Sequence, residues 1–370
     1  MNGIKTYGIK ILAIAAAVGG GAAATSCLED DVNTILVDPS DPAQGGNSGG
    51  HPGGDKPGKP VSHDLRFYMA GLRHPDSGEW PRLTGSGAEQ NAWVEIDGES
   101  AAAEFVNSDD PGALPFKADI ALLVDNSDSM DEENDAIAAG IGTWTAMLAE
   151  GGVDARYAVV GHSENGTING ATDFSTAENL EAFFNFMSGQ RRTAHFSGPG
   201  SDRLEREAGR YPTLNTECCV LALRFGNDQL SFRDDAERVY VSFTDEPNQP
   251  YGNAEYSVEW LRGNWGAGMG EAHTVYSAPE PTDYTQLVSE PARSLSDLTG
   301  GTVTYTDERL TDFSLTDFGV TEALTHAYTA RIADVSRYMD GETHQVTITI
   351  RSTDGKVNGT KRIPVIFSKD

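Results

Sequence analysis

The segment Ile120-Ala121-Leu122-Leu123-Val124 is the strongest constraint on how this chain folds, because five consecutive apolar residues suit a strand covered on both faces. Such strands belong to parallel sheets, and parallel neighbours need crossover connections, usually helices. The residues that follow supply them. Ile137, Ile141, Trp144, Met147 and Leu148 share one helical face. Residues 157–160 read as a second strand. Ser175 stands three residues before Glu178, a capping-box spacing, ahead of Leu180, Phe183, Phe184 and Met187 on one face. Residues 238–243, 274–276 and 302–305 read as further strands, and residues 287–298 as a helix interrupted by Pro291. The alternation predicts a doubly wound α/β domain over residues 114–308, with its site at the carboxyl ends of the strands.

The flanks alternate with period two. Leu65, Phe67 and Met69 do so, residues 93–96 form another strand candidate, and Val346, Ile348 and Ile350 alternate cleanly with polar neighbours. Asp354-Gly355 and Asn358-Gly359 offer turns before Ile363, Val365 and Phe367. Roughly 50 residues of short strands make a marginal core. Residues 63–113 and 309–370 are therefore expected to combine into one small β-sandwich, with the α/β domain inserted between its strands.

The start of the chain reads as an address. Lys5 and Lys10 precede a run of small and apolar residues too short to span a bilayer, ending in Ala24-Thr25-Ser26-Cys27. This resembles the lipobox of bacterial lipoproteins, which implies a signal peptide over residues 1–26 and lipidation of Cys27. Leu28-Glu29-Asp30-Asp31 resembles the acidic export tag of surface lipoproteins in Bacteroidota-type bacteria. In residues 39–60, 12 of 22 residues are Gly or Pro, so residues 27–62 read as an acidic, extended tether. The expected location is the envelope of a Gram-negative bacterium, lipid-anchored to the outer membrane and surface-displayed. With 56 acidic and 27 basic residues the net charge is −29, which excludes nucleic acid as a partner and limits membrane contact to the anchor.

At the carboxyl end of the first buried strand stands Asp125-Asn126-Ser127-Asp128-Ser129-Met130. A carboxylate and two hydroxyls at alternate positions offer hard oxygens to one point, which suits Mg²⁺, with Mn²⁺ or Ca²⁺ as competitors. Asp and Ser capping a helix start is the plain alternative. Residues 118–130 as a whole resemble the opening of a von Willebrand factor type A domain. The resemblance implies a metal-ion-dependent adhesion site that begins with Asp125, Ser127 and Ser129. Asp128 stands where that family often has Gly, so its side chain either points away from the metal or adds a carboxylate. The family also implies an Asp after the fourth strand, matched by Asp245, and a Thr before a helix, matched by Thr216 with Thr213 as rival. Glu246 reads as a solvated acid or as one standing just behind the ligands.

Other residues read more plainly. Cys218 and Cys219 suit small buried residues at a helix start better than a vicinal disulfide or a soft-metal pair. His162 and His195 read as loop histidines, and no nucleophile elbow occurs. The expected function is therefore non-enzymatic: a surface lipoprotein that binds a protein ligand, offering a carboxylate, through a Mg²⁺ site. The alternatives are an envelope scaffold or assembly lipoprotein with a structural metal, and a Mg²⁺-dependent hydrolase.

Overall fold

The computed structural model describes residues 6–8, 65–69, 81–107, 110, 115–233, 236–265, 269–278, 289–307, 310, 314–351 and 358–366. Cys27, the tether and the leader other than residues 6–8 lie outside the described residues. The chain divides into two compact units, one of residues 1–114 with 326–370 and the other of residues 115–325. The first unit opens with strands β1 (Thr6–Gly8), β2 (Leu65–Met69), β3 (Ala92–Ile96), β4 (Glu99–Ala101) and β5 (Ala103–Asn107).

Residues 115–325 then run through β6 (Phe116–Asp125), α1 (Asp131–Glu150), β7 (Val153–His162), β8 (Ile168–Ser175), α2 (Ala177–Phe184) and α3 (Ser201–Ala208). They continue with α4 (Cys219–Gln229), β9 (Glu237–Thr244), α5 (Val258–Asn264), β10 (Glu271–Tyr276), α6 (Ser294–Thr299), β11 (Val303–Tyr305) and α7 (Gly319–Thr325). The six strands lie in the order β11-β10-β9-β6-β7-β8, parallel throughout except for β8, which runs antiparallel to β7. Chain order reverses between β6 and β9, so the crevice at which such sheets take ligands opens at the carboxyl ends of these two strands.

Ala121 and Leu123 of β6 share a buried cluster with Ala158, Val160, Tyr240 and the α4 residues Val220 to Leu223. Their alternates Ile120, Leu122 and Val124 are buried on the opposite face of the sheet. The α1 stripe Ile137, Ile141, Trp144 and Leu148 is buried as its spacing predicts, whereas Met147 is exposed. Trp144 meets Tyr157 edge-on at 5.9 Å and donates its indole N–H to the Thr321 hydroxyl at 2.7 Å. A buried indole needs such an acceptor. This bond ties α7 to α1, and the α/β unit accordingly extends past the expected end at 308 to Thr325.

Several local expectations are corrected. The N-cap of α2 is Thr176, whose hydroxyl accepts from the Asn179 N–H at 3.4 Å, while Ser175 ends β8. Met187 lies beyond α2 and is exposed. The helix expected over 287–298 is the shorter α6. His162 closes β7, fully buried, and is not a loop residue, whereas His195 lies in a loop as expected and stacks there on Phe183 at 4.2 Å. Cys218 and Cys219 are free and buried, and both thiols face the Asn248 side-chain carbonyl, at 3.1 and 3.6 Å.

The first unit is completed by β12 (Tyr328–Ile332), β13 (Thr343–Arg351) and β14 (Asn358–Ile366). Its two four-stranded sheets have the orders β1-β2-β12-β5 and β14-β13-β3-β4. In each sheet a strand from the far end of the chain sits in the interior, β12 between β2 and β5, β13 between β14 and β3. Leu65, Leu83, Ala92, Val94, Ile96 and Phe105 share one buried cluster with Ala330, Ile332, Val346, Ile348, Ile350 and Val365. Asn358-Gly359 lies within β14 rather than in a turn. Cleavage after Ser26 would remove β1 and leave β2 at the edge of its sheet. Among the described residues, no helix is long and apolar enough to cross a membrane.

Candidate metal centre

The site is built on the sheet register. Asp125 ends β6 in register with His162 of β7, and the preceding pair Val124 and Phe243 leads on to Thr244 at the end of β9. Asp125 is 0% exposed, and its carboxylate accepts the Ser127 N–H at 2.9 Å and the Thr244 hydroxyl at 2.8 Å. Two bonds leave a carboxylate with unused lone pairs. The Ser127 and Ser129 hydroxyls stand 3.1 Å apart, so the turn gathers both at one point.

The turn is braced on both sides. Asn134, in the first turn of α1, donates its side-chain amide to the Asp125 carbonyl at 3.0 Å. Asn126 accepts the Thr193 hydroxyl at 2.5 Å and donates to Asn169 at 2.8 Å. Any side chain at Gly161 would collide with the Asn126 amide and the Thr193 carbonyl, so this close approach requires glycine. Asp128 is exposed and accepts from the Gln190 amide at 2.9 Å, which settles its direction: it points towards the neighbouring loop.

Thr216 arrives on a loop turned by Asn215, whose φ of 61° lies in the left-handed region that Asn tolerates. Its hydroxyl donates to the Gln249 carbonyl at 2.8 Å, and the Gln249 N–H returns to the Glu217 carbonyl at 2.9 Å. With its proton on Gln249, the Thr216 oxygen keeps lone pairs for a cation. Thr213, three residues earlier, is exposed. Asp245 follows Thr244 directly, half-buried, and its charge is felt by Glu133, Glu217 and Glu246.

That mutual field is the clearest electrostatic signature of the site. Burial first, then the negative charges of Asp125, Glu246, Asp245 and Glu164, pushes Glu217 up to about 9. Burial chiefly, with Asp245 contributing, pushes Glu133 up to about 7. Glu246 is raised by burial, Asp245 and Asp125, which agrees with an acid behind the candidate ligands rather than a solvated one. Burial holds His162 neutral against the pull of Asp125. Glu133, Glu217, Thr244 and His162 all escape a motif search. Only Thr244, beside Asp245, carried a sequence signal.

The donor set fits a hard divalent cation. Oxygens supply every donor, and a buried carboxylate oxygen, Oε2 of Glu133, has no hydrogen-bond partner. Among the described residues, no three His, Cys, Asp or Glu side chains form a ready-made metal cluster.

A pH dependence follows from the crowded acids. From the ordinary value of 4.5 up to about 7 at Glu133 and about 9 at Glu217, the folded chain holds protons that the unfolded chain has released. Stability of the metal-free protein therefore falls as pH rises through that window. A bound cation favours the ionised acids, so its stabilisation grows over the same range. Thermal melts with EDTA and with MgCl₂ should diverge progressively from about pH 5 to 9. A constant gap would show that these acids do not sense the ion.

No protein-family model matches the chain, and no curated protein matches it significantly. Among solved structures it is similar to proximal thread matrix protein 1 of the mussel byssus with a zinc-occupied MIDAS motif. That match has 12% identity, covers 63% of this chain and 50% of the other, and has a TM-score of 0.35. A second crystal form of the same protein matches at 13% identity and a TM-score of 0.32, over 63% of this chain and 50% of that one. The open conformation of the pilus adhesin SpaC from Lactobacillus rhamnosus GG matches at 10% identity and a TM-score of 0.34, over 78% of this chain and 49% of that one. The chain spans about half the length of each of these structures.

Proposed function

We propose that residues 115–325 are a von Willebrand factor type A module whose adhesion site holds Mg²⁺, or Mn²⁺ or Ca²⁺ in its place, and binds a protein ligand. The domain is doubly wound and set into a β-sandwich formed by both flanks. In this reading Asp125, Ser127 and Ser129 supply the first loop, Thr216 the second and Asp245 the third. The observation that carries it is the convergence of Asp125 and Asp245 at the switch point of the sheet, among acids that repel one another. The bound ion supplies a positive centre able to accept a partner's carboxylate. The chain's part is to hold Asp125 by the Ser127 N–H and Thr244, to turn hydroxyl lone pairs inward, and to keep Asp128 clear. Nothing in this set acts as a nucleophile, so the reading is adhesive rather than enzymatic.

The protein acts at the cell envelope in this reading, anchored to the outer membrane by lipid on Cys27 and displayed beyond a tether of residues 27–62. The test is capture of a protein partner on the immobilised chain in Mg²⁺. EDTA should release the partner and Asp125→Asn should prevent its capture. Equal capture in Mg²⁺, in EDTA and by the variant would refute the adhesion reading.

A further inference from the structure

Glu133 occupies a position that the helix pattern reserves for an apolar residue. It lies four residues after Ser129 and four before Ile137, at the head of the stripe that continues through Ile141, Trp144 and Leu148. It is 1% exposed, its Oε1 accepts the Ser277 hydroxyl at 3.2 Å, and its Oε2 has no hydrogen-bond partner. Leaving a buried carboxylate oxygen unpaired is costly, so a Glu here calls for a donor that the chain does not provide.

Its surroundings say which donor. Ser277 follows β10, and its N–H donates to the Thr244 carbonyl at 3.2 Å, while the Thr244 hydroxyl holds Asp125. Glu133 is thus joined to the candidate ligand Asp125 through two residues, and it feels the charge of Asp245. Beside it, Asn134 is 0% exposed and has given its amide to the Asp125 carbonyl, and its own Oδ1 is also unpartnered. Both orphaned atoms are acceptors, on one helical turn, next to the same loop. Water held by a divalent cation is a strong donor, and a hard ion such as Mg²⁺ keeps several waters when bound.

We propose that Glu133 is a positioning residue of the cation site, accepting through Oε2 from the hydration shell of the ion held at Asp125, with Asn134 Oδ1 as a second acceptor. This rests on the cation reading above and extends it to a residue outside the three loops. It makes α1 part of the site alongside the three loops.

The test is calorimetric titration of the full-length chain and its variants with MgCl₂, alongside thermal melts in EDTA. Glu133→Gln keeps the shape and the Ser277 contact but removes the charge, and should weaken Mg²⁺ binding about 10-fold or more. Glu133→Leu should weaken it at least as much while raising the melting temperature in EDTA, since it replaces an orphaned carboxylate with core. Gain of metal-free stability with loss of affinity is a pairing that a purely structural role does not produce. If both variants bind Mg²⁺ like the parent while Asp125→Asn does not bind, the Glu133 assignment is wrong and the cation site stands. If Glu133→Leu lowers the EDTA melting temperature in step with affinity, Glu133 is structural. If Asp125→Asn itself binds like the parent, the cation reading fails first.

Discussion

Asp125→Asn is expected to lower Mg²⁺ affinity by more than about 100-fold, because loss of an outer-sphere partner alone costs about 10–100-fold and the proposed site gives Asp125 a direct role. Asparagine keeps one oxygen to accept the Ser127 N–H, but it removes the charge and places an amide donor where the second carboxylate oxygen accepts the Thr244 hydroxyl. Asp245→Ala should have an effect of the same order. Mg²⁺ gives up its waters reluctantly, so in a site of otherwise neutral hydroxyls each of the two carboxylates carries a large share of the affinity. Neither change should unfold the chain. The hydrogen bond from Thr244 that Asp125→Asn loses costs roughly 1 kcal/mol, well within the stability of a typical domain, about 5–15 kcal/mol. Thr216→Val, by contrast, should weaken binding more modestly, since it removes a neutral donor. Calorimetry with MgCl₂ decides the matter: unchanged binding by Asp125→Asn and Asp245→Ala would eliminate the site.

Truncation after Thr325 has the second large expected effect. It deletes β12 and β13, the strands that β2, β5 and β3 pair with, and with them Ala330, Ile332, Val346, Ile348, Ile350 and Val365 of the shared cluster. At about 1.5–3 kcal/mol for each large side chain, the loss matches or exceeds the whole stability of a typical domain, about 5–15 kcal/mol. Residues 81–107 should then be digested rapidly by protease, whereas residues 115–325 should keep their melting transition. Persistent protection around Trp93 and Phe105 would show that the first strands fold without the last.

Sequence alone reveals β6, α1 and the Asp125–Ser129 turn because each is local. An uninterrupted apolar run, a stripe at helical spacing and Asp-x-Ser-x-Ser are all contained within about one element. Asp245 was singled out by the resemblance, which implies an Asp after the fourth strand. Strand β8 was not readable, since Asn169, Gly170 and Asp173 are poor strand formers and its burial depends on non-local contacts such as the bridge from Ala171 to Phe196. Glu133 was hidden for a different reason. An acid in the first turn of a helix ordinarily means a solvated residue favoured by the dipole. Its burial comes from Ser277, 144 residues away, which no window of sequence can show. Asp128 remained two-sided until the partner in Gln190, on a loop of its own, fixed its direction.

The strand register of the first unit has a mechanical consequence. If a partner is held through residues 115–325 while Cys27 is anchored, the tether draws on β2 at Leu65 and the load draws on β12 at Tyr328. Leu65 pairs with Ile332, and Tyr328 with Met69, so the two pulls act at opposite ends of the same antiparallel pair. Such a ladder is sheared, with its hydrogen bonds strained together, instead of being peeled one bond at a time. On the other side, Tyr328 pairs with Asn107, so both connections to the inserted unit leave from one end of the β5–β12 pair. A load that pulls them together spares that pair, and only forces that spread the two connections apart would unzip it.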